Sequence, residues 1–394
     1  MTFTKQRKIN LVIIVIAMTI CGGFVWHYYK GSPRYQLEKL YIYLEDDDFS
    51  KLSNLRNEAK EAGYLKRSPD DFVSANIIYR SQNINGKVRL KGDWTDHLKR
   101  NKWSFRIKLN KEMDDGLKTF SVQNPPTRGY LNGYIYHKLL KQEGVLSNEF
   151  RFIEVFVNDK SWGTYTLEEH LTSRMITNQN KPEGILLKFD DQVFFNADIK
   201  KESTIGLIKS AEIKTYGKPK KQDKYKTQVN AAIDIIKGYQ FQTDSVYNMF
   251  NTKTMASYYA ISDLAVAYHA LGWINIRFYY NFNTGLMEPV GYDGYPIMDW
   301  AKPYLGHKVK TDNPPAFSTE MIIYQALKNE VIQLEYKKAL ERITDSVYIE
   351  KFMSEEKELI DFYETELQKD YHDYSFDQNW LYNNARRIRN SLNF

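Results

Sequence analysis

Up to about residue 191 the apolar residues of this chain recur at every second position in several separate runs, and beyond Pro315 they recur at every third or fourth. The first spacing lines one face of a β-strand and the second lines one stripe of a helix. A chain that changes period in this way reads as α+β, with a β-rich first half and a helix-rich second half. The strand-like runs are "VSANIIYRSQNINGKVRLKGDW" (73–94), "KWSFRIKL" (102–109), "RFIEVFVNDKSWGTYTLEEHL" (151–171) and "GILLKFDD" (184–191). Turn chemistry places one hairpin tip at Asn85-Gly86 and another near Asn158-Asp159. Helical spacing marks 130–143, 228–239, 253–271 and the segments after 315. Residues 34–72 read as a helical lead-in, and the lysine-rich, turn-rich stretch 196–227 as an exposed insertion. The boundary between the β-rich part (73–227) and the helix-rich part (228–394) falls just after that insertion.

Length and composition leave room for a large core: 394 residues, 42% of them hydrophobic, suggest two or three packing units. The net charge of +6 favours anionic ligands such as nucleotides, phosphates or acidic glycans, although a solvated surface explains it equally well. No dense basic tract interleaved with aromatics argues for a nucleic-acid partner. The single cysteine, Cys21, leaves the rest of the chain without disulfides, a cysteine-based zinc site or a cysteine nucleophile.

The N-terminus carries its own signal. Lys5, Arg7 and Lys8 precede an uncharged apolar run from Leu11 to Trp26, and His27, Tyr28 and Tyr29 follow it like an interfacial belt. No small-residue cleavage site follows the run, so an uncleaved single-pass anchor over 11–29, behind a basic segment 1–10, fits better than a removed signal. The basic cluster ahead of it favours a domain on the outer side of the membrane, against nearly equal positive charge behind it.

One stretch, "INIRFYYNFNTGLMEPVGYDG" (274–294), reads as a hairpin turning at Asn283-Thr284-Gly285. Pairing symmetric about Thr284 sets position 275 opposite 293, which would bring Asn275 and Asp293 side by side. An amide oxygen beside a carboxylate makes a half-site for Mg²⁺. The plainer alternative is that Asn275 caps the preceding helix and Asp293 opens a turn with Gly294.

In order, "VRLKGDW", "KWSFRIKL", "VFVNDKSWGTYTLEEHL", "GILLKFDD" and "NIRFYYNFNTGLMEPVGYDG" resemble the CotH (spore coat protein H-like) kinases, an atypical protein-kinase-like family. The resemblance implies a β-rich N-terminal lobe and a helix-rich C-terminal lobe, with ATP and Mg²⁺ as cofactors. It implies that Asp293 and Asn275 hold metal, that Lys102 and Arg106 face nucleotide phosphates, that Lys188 is the strand lysine of the site, and that Glu169 orients a lysine or contacts metal-bound phosphate. Each basic residue could equally be a solvated strand residue, and Glu169 an exposed edge.

One departure stands out. Kinase chemistry places an aspartate about five residues before the metal-binding asparagine, to take the acceptor's proton. Here that position is Ala270, and the nearest titratable group is His269. A histidine can act as base near neutral pH, or it can simply end the helix with no catalytic part. Two functions follow as expectations: Mg²⁺-dependent phosphoryl transfer from ATP to a protein or glycan hydroxyl, or a non-catalytic envelope protein acting in surface-coat or exopolysaccharide assembly. An outward-facing domain would meet little ATP, which keeps the second in play.

Overall fold

Seven strands close into a barrel, and a five-stranded sheet with helices stands beside it. The structure is a computed structural model and describes residues 35–99, 101–193, 204–241, 243–296 and 326–392. The anchor expected over 11–29 lies outside the described residues. Among those described, no helix is long and apolar enough to cross a membrane. The chain from Glu38 onward forms one compact unit.

The described elements run β1 (Glu38–Tyr43), α1 (Asp46–Ala62), β2 (Val73–Tyr79), β3 (Gln82–Leu90), β4 (Phe105–Leu109), β5 (Thr119–Gln123), α2 (Leu131–Gln142), β6 (Leu146–Ser147), β7 (Phe150–Val157) and β8 (Lys160–Glu169). They continue with α3 (Ser173–Asn178), β9 (Gly184–Phe189), α4 (Thr204–Ser210), β10 (Ile213–Tyr216), α5 (Lys226–Gln240), α6 (Thr252–Leu264), β11 (Arg277–Asn281) and β12 (Leu286–Gly291). Three helices end the chain: α7 (Glu330–Ile343), α8 (Ser346–Gln368) and α9 (Trp380–Leu392). This is an α+β architecture, as the change of period implies.

The barrel order is β1-β2-β3-β4-β5-β8-β7, and β1 closes the ring by pairing parallel to β7. Alternation does the sorting. Val73, Ala75, Ile77 and Tyr79 of β2, Ile84, Val88 and Leu90 of β3, and Phe105, Ile107 and Leu109 of β4 fill the interior. The intervening residues of β3 and β4, Lys87, Arg89, Arg106 and Lys108, therefore stand on the outer face. The second sheet runs β10-β9-β11-β12-β6. Its core includes Leu186, Tyr279 and Val290, with Met175 and Ile176 of α3.

Three local expectations change. Residues 34–72 are not all helical: Leu40 and Ile42 alternate into the core while Tyr41 stacks outside on Phe156 at 4.6 Å, which makes β1 a strand ahead of α1. The first hairpin closes at Arg80-Ser81, both left-handed (φ 49° and 61°), so Asn85-Gly86 lies inside β3. The lysine-rich stretch is more than an exposed loop, because β10 within it adds an edge strand to β9. The Asn158-Asp159 turn forms as expected, with φ of 47° and 62°. Its Asn158 side chain ties the turn to β1 by accepting from the Leu44 N–H at 2.8 Å and donating to the Leu44 carbonyl at 2.9 Å.

Just past that turn, Gly163 has φ +82°, and a Cβ there would fall 2.4 Å from the Asp370 carboxylate. Asp370, two residues past α8, accepts from the Thr164 N–H at 2.6 Å and from Lys102 Nζ at 2.8 Å, clipping the C-terminal helices to the barrel. Gly163→Ala is expected to cost about 1–3 kcal/mol through backbone strain and loss of the clip. Denaturant unfolding checks this, and an unchanged midpoint would remove the clip from the account.

Candidate functional site

A cavity of 480 Å³ lies where the outer face of β3 and β4 meets β9, β11 and the ends of the second sheet. Its walls come from the strand registers. On the barrel side Arg89 sits directly opposite Arg106. On the sheet side Lys188 sits directly opposite Arg277. All four side chains line the same cavity, joined by Lys91 two positions beyond Arg89.

Like charges directly opposed across strands are destabilising. Some of this charge is answered locally. Lys188 pairs with Asp191 at 3.1 Å, and Arg67 pairs with Asp93. Arg89, Lys91, Arg106 and Arg277 have no carboxylate partner among the described residues. Arg277 instead donates to the Ile274 carbonyl at 2.7 Å and lies 4.5 Å from the centre of the Tyr292 ring. The Arg106 Nε is buried without a hydrogen-bond partner.

Ionisation reflects this crowding. Burial, with Arg128 and Arg106 nearby, pushes the Lys91 ammonium down to about 7. Burial and Arg277 push Lys188 down to about 8, although Asp191 opposes them. Burial and Arg106 bring Arg89 down to about 10. Gly92 lets the chain turn away here: its φ is +110°, and a Cβ would fall 2.2 Å from the His97 ring.

At one end of the cavity Arg128, from the short turn Pro125–Arg128, is buried between two carboxylates. Its Nε lies 3.3 Å from Glu168 and its Nη1 lies 3.2 Å from Asp293. Asp293 follows β12 in the left-handed region, with φ 49°. His269 Nδ1 lies 3.3 Å from the same Asp293 oxygen. Burial alone would push the Asp293 carboxyl up, but Arg128 and His269 hold it well below the usual carboxylate range. Burial likewise opposes charge on His269, and the Asp293 carboxylate more than offsets this, raising the imidazole above its ordinary value.

Asn275 and Asp293 do line one cavity, but not by the expected pairing. The register matches Arg277 with Val290, and a four-residue tip closes on Asn281 and Leu286. Position 275 thus projects opposite 292, and the ladder ends before either residue. His269 supplies the link: Asn275 Nδ2 donates to the His269 carbonyl at 2.9 Å.

Of the other expected residues, Arg106 and Lys188 line the cavity. Lys102 does not. It is bound to Asp370 and to the Thr164 carbonyl at 3.0 Å, in a neighbouring cavity. Glu169 also lies off the cavity, bound to Arg174 at 3.0 Å and accepting from Thr172 at 3.1 Å. Its neighbour Glu168 points the opposite way, as strand alternation requires, and meets Arg128. Arg89, Lys91, Arg128 and Arg277 were missed. The polar face of "VRLKG" alone signalled two of them, while Arg128 sits in a turn with no period.

The residues present fit a Mg²⁺ ion brought in with phosphate. Asp293 Oδ1 is buried and makes no hydrogen bond of good geometry, and no donor among the described residues reaches Asn275 Oδ1. One carboxylate and one amide oxygen, with phosphate and water for the rest, is an ordinary Mg²⁺ shell. Among the described residues no group of three histidines or acids would hold a metal by protein alone.

Lys91 gives the site a pH signature. Sulfate keeps a fixed charge from pH 6 to 9, so its affinity reports the protein's own protons. Lys91 is cationic below about 7 and neutral above, and Lys188 follows near 8. Sulfate binding is expected to weaken stepwise as pH rises through both values. His269 lines the same cavity and is raised above its ordinary value. Lys91→Met is therefore compared in a His269→Gln background, where calorimetry should find weaker binding at pH 6 and only the upper step. A lower step that persists there would contradict the assignment.

No curated protein matches the chain. The family model described as CotH kinase protein matches residues 88–392, from the end of the strand that carries Arg89 to the last helix. The match covers most of the chain, and with it every cavity residue but Arg67; this protein belongs to the CotH kinase family.

Proposed function

We propose that the protein is an atypical kinase that binds the polyphosphate of ATP in the basic cavity and transfers its terminal phosphoryl group to a hydroxyl acceptor. The observation that carries this reading is the pair of like-charged rows, Arg89–Arg106 and Lys188–Arg277, facing one cavity that ends at Asp293 and Asn275. An anion between such rows relieves their repulsion, and a polyphosphate spreads negative charge over the required length. In this reading the barrel serves as the N-terminal kinase-like lobe, and the second sheet with the helices as the C-terminal one. Trp94, 56% exposed at the rim, offers a ring face to the nucleotide base.

Phosphoryl transfer asks a protein mostly for positioning and charge neutralisation. The paired arginines and Lys91 would hold non-transferred phosphate oxygens. Asp293 and Asn275 would hold Mg²⁺, which supplies further neutralisation between those oxygens. Arg128 and Glu168 would keep the Asp293 carboxylate in place, and His269 would carry positive charge against it. The domain would be tethered by residues 11–29 at the outer face of a membrane, and a C-terminal reporter fusion tests that side directly.

A second reading keeps the scaffold without turnover, as an envelope protein in surface-coat or exopolysaccharide assembly. Ala270, where a kinase keeps its aspartate, favours it. Calorimetry of the full chain with ATP, with and without Mg²⁺, addresses the first reading. Mg²⁺ is expected to tighten binding about tenfold or more in the parent protein. Asp293→Asn should lose that gain while binding metal-free ATP at least as well, because a negative charge has left a positive cavity. Equal Mg²⁺ enhancement in both proteins would sink the metal assignment.

A further inference from the structure

A second cavity, of 710 Å³, adjoins the basic one and shares Asp96, Thr127 and Tyr295 with it. Its lining differs in kind. Trp162 is held in place by Trp103 at 5.4 Å and Phe105 at 5.6 Å. Tyr371 is fixed by its hydroxyl, which donates to Asn124 Oδ1, and by the Tyr130 ring at 5.2 Å. Tyr295, 38% exposed, stands where the cavities join, edge-on to His269 at 6.2 Å. Lys99 and Lys160 are exposed and have no carboxylate partner among the described residues. The cavity therefore offers fixed aromatic faces between two uncommitted ammonium groups.

Asp96 is the other unusual group. It forms no ion pair among the described residues, and its Oδ1 is closed off from solvent without a hydrogen-bond partner. Partial burial raises its carboxyl above the ordinary aspartate value. Asp96 as a whole is only half-buried and lines both cavities, and a carboxylate so placed can receive a proton from a group lying across that wall. His269 Nδ1 faces Asp293, and in the reading above its imidazole carries positive charge against that carboxylate, which leaves the acceptor's proton to another group.

Resting on the phosphoryl-transfer reading above, we propose that the second cavity holds the acceptor, that the acceptor is an acidic saccharide, and that Asp96 takes its hydroxyl proton. The acceptor oxygen forms a bond to the terminal phosphorus of the nucleoside triphosphate. The bond from that phosphorus to its bridging oxygen breaks, and its electron pair leaves with the nucleoside diphosphate. The hydroxyl proton passes to the Asp96 carboxylate and from there to water. A saccharide fits better than a peptide for two reasons. The adjoining barrel is closed and offers no open strand edge for a main chain to extend. The aromatic faces suit the C–H faces of sugar rings, while Lys99 and Lys160 suit uronate carboxylates.

The two halves of the proposal are tested separately. Tetragalacturonate is titrated into the full chain without nucleotide, with maltotetraose and a short polyglutamate as comparisons. Tetragalacturonate is expected to bind, maltotetraose at least tenfold more weakly, and polyglutamate not at all. Trp162→Ala and the exposed change Lys160→Glu should each weaken tetragalacturonate binding about tenfold while leaving ATP affinity unchanged. No binding, or tighter binding of polyglutamate, overturns the saccharide assignment whatever happens to ATP. With tetragalacturonate and ATP together, Asp96→Asn should lower kcat by about 100-fold or more, with KM for both substrates little changed and the acid limb of the kcat–pH profile lost. An Asp96→Asn enzyme with the parent kcat or an unchanged profile overturns the base assignment. Absence of ATP binding in the parent protein overturns the transfer reading and the role of Asp96 with it, but leaves saccharide binding to stand on its own titration.

Discussion

Repulsion between cations held in register organises this molecule's functional half. Strand pairing fixes Arg89 against Arg106 and Lys188 against Arg277, and the closure of the barrel and the pairing of the second sheet prevent either row from splaying apart. Nothing in the fold of the strands needs these charges, because the barrel is held by the alternating apolar residues on its inner face. The rows cost stability that the barrel core supplies. Sites that tolerate such a cost usually do so for a ligand that removes it.

Arg128 links the basic wall of the cavity to the end that carries Asp293. It reaches Glu168 on the barrel strand β8 and Asp293 at the end of the second sheet, so a single buried guanidinium joins the two sheets at the mouth of the cavity. The pairing also sets the charge state of the site. Arg128 and His269 hold the buried Asp293 carboxyl well below the usual carboxylate range, and Asp293 in turn raises the His269 imidazole above its ordinary value. Removing either member of such a buried pair leaves an uncompensated charge, so these residues hold the architecture as well as the chemistry.

Much of the fold was legible because it rests on period. The runs at 102–109, 151–171 and 184–191 contain strands β4, β7, β8 and β9, and the helices at 130–143 and beyond 315 follow their apolar spacing. What failed did so where local signals competed. Asn85-Gly86 has the composition of a turn, yet Arg80-Ser81 makes the turn, and β1 hid beneath flanking charge. The site was half legible. Asp293, Asn275, Arg106 and Lys188, which the sequence singles out, share a cavity, although the hairpin register that was to unite 275 with 293 is displaced by one. Lys102 and Glu169 were placed wrongly relative to the cavity for one reason: sequence order cannot tell which side of the barrel a residue leaves from. Arg128 could not be read at all, since its role depends on two partners distant in the chain.

If the like-charged rows are kept at a cost in stability because they bind a polyphosphate, that ligand must relieve their mutual repulsion. A double-mutant cycle on Arg89→Gln and Arg106→Gln, measured by denaturant unfolding with and without saturating inorganic triphosphate, tests it most directly. The account expects a repulsive coupling of about 0.2–1 kcal/mol in the ligand-free protein, reversing in sign once triphosphate is bound. A coupling that is zero or attractive without ligand, and unchanged by triphosphate, would contradict it.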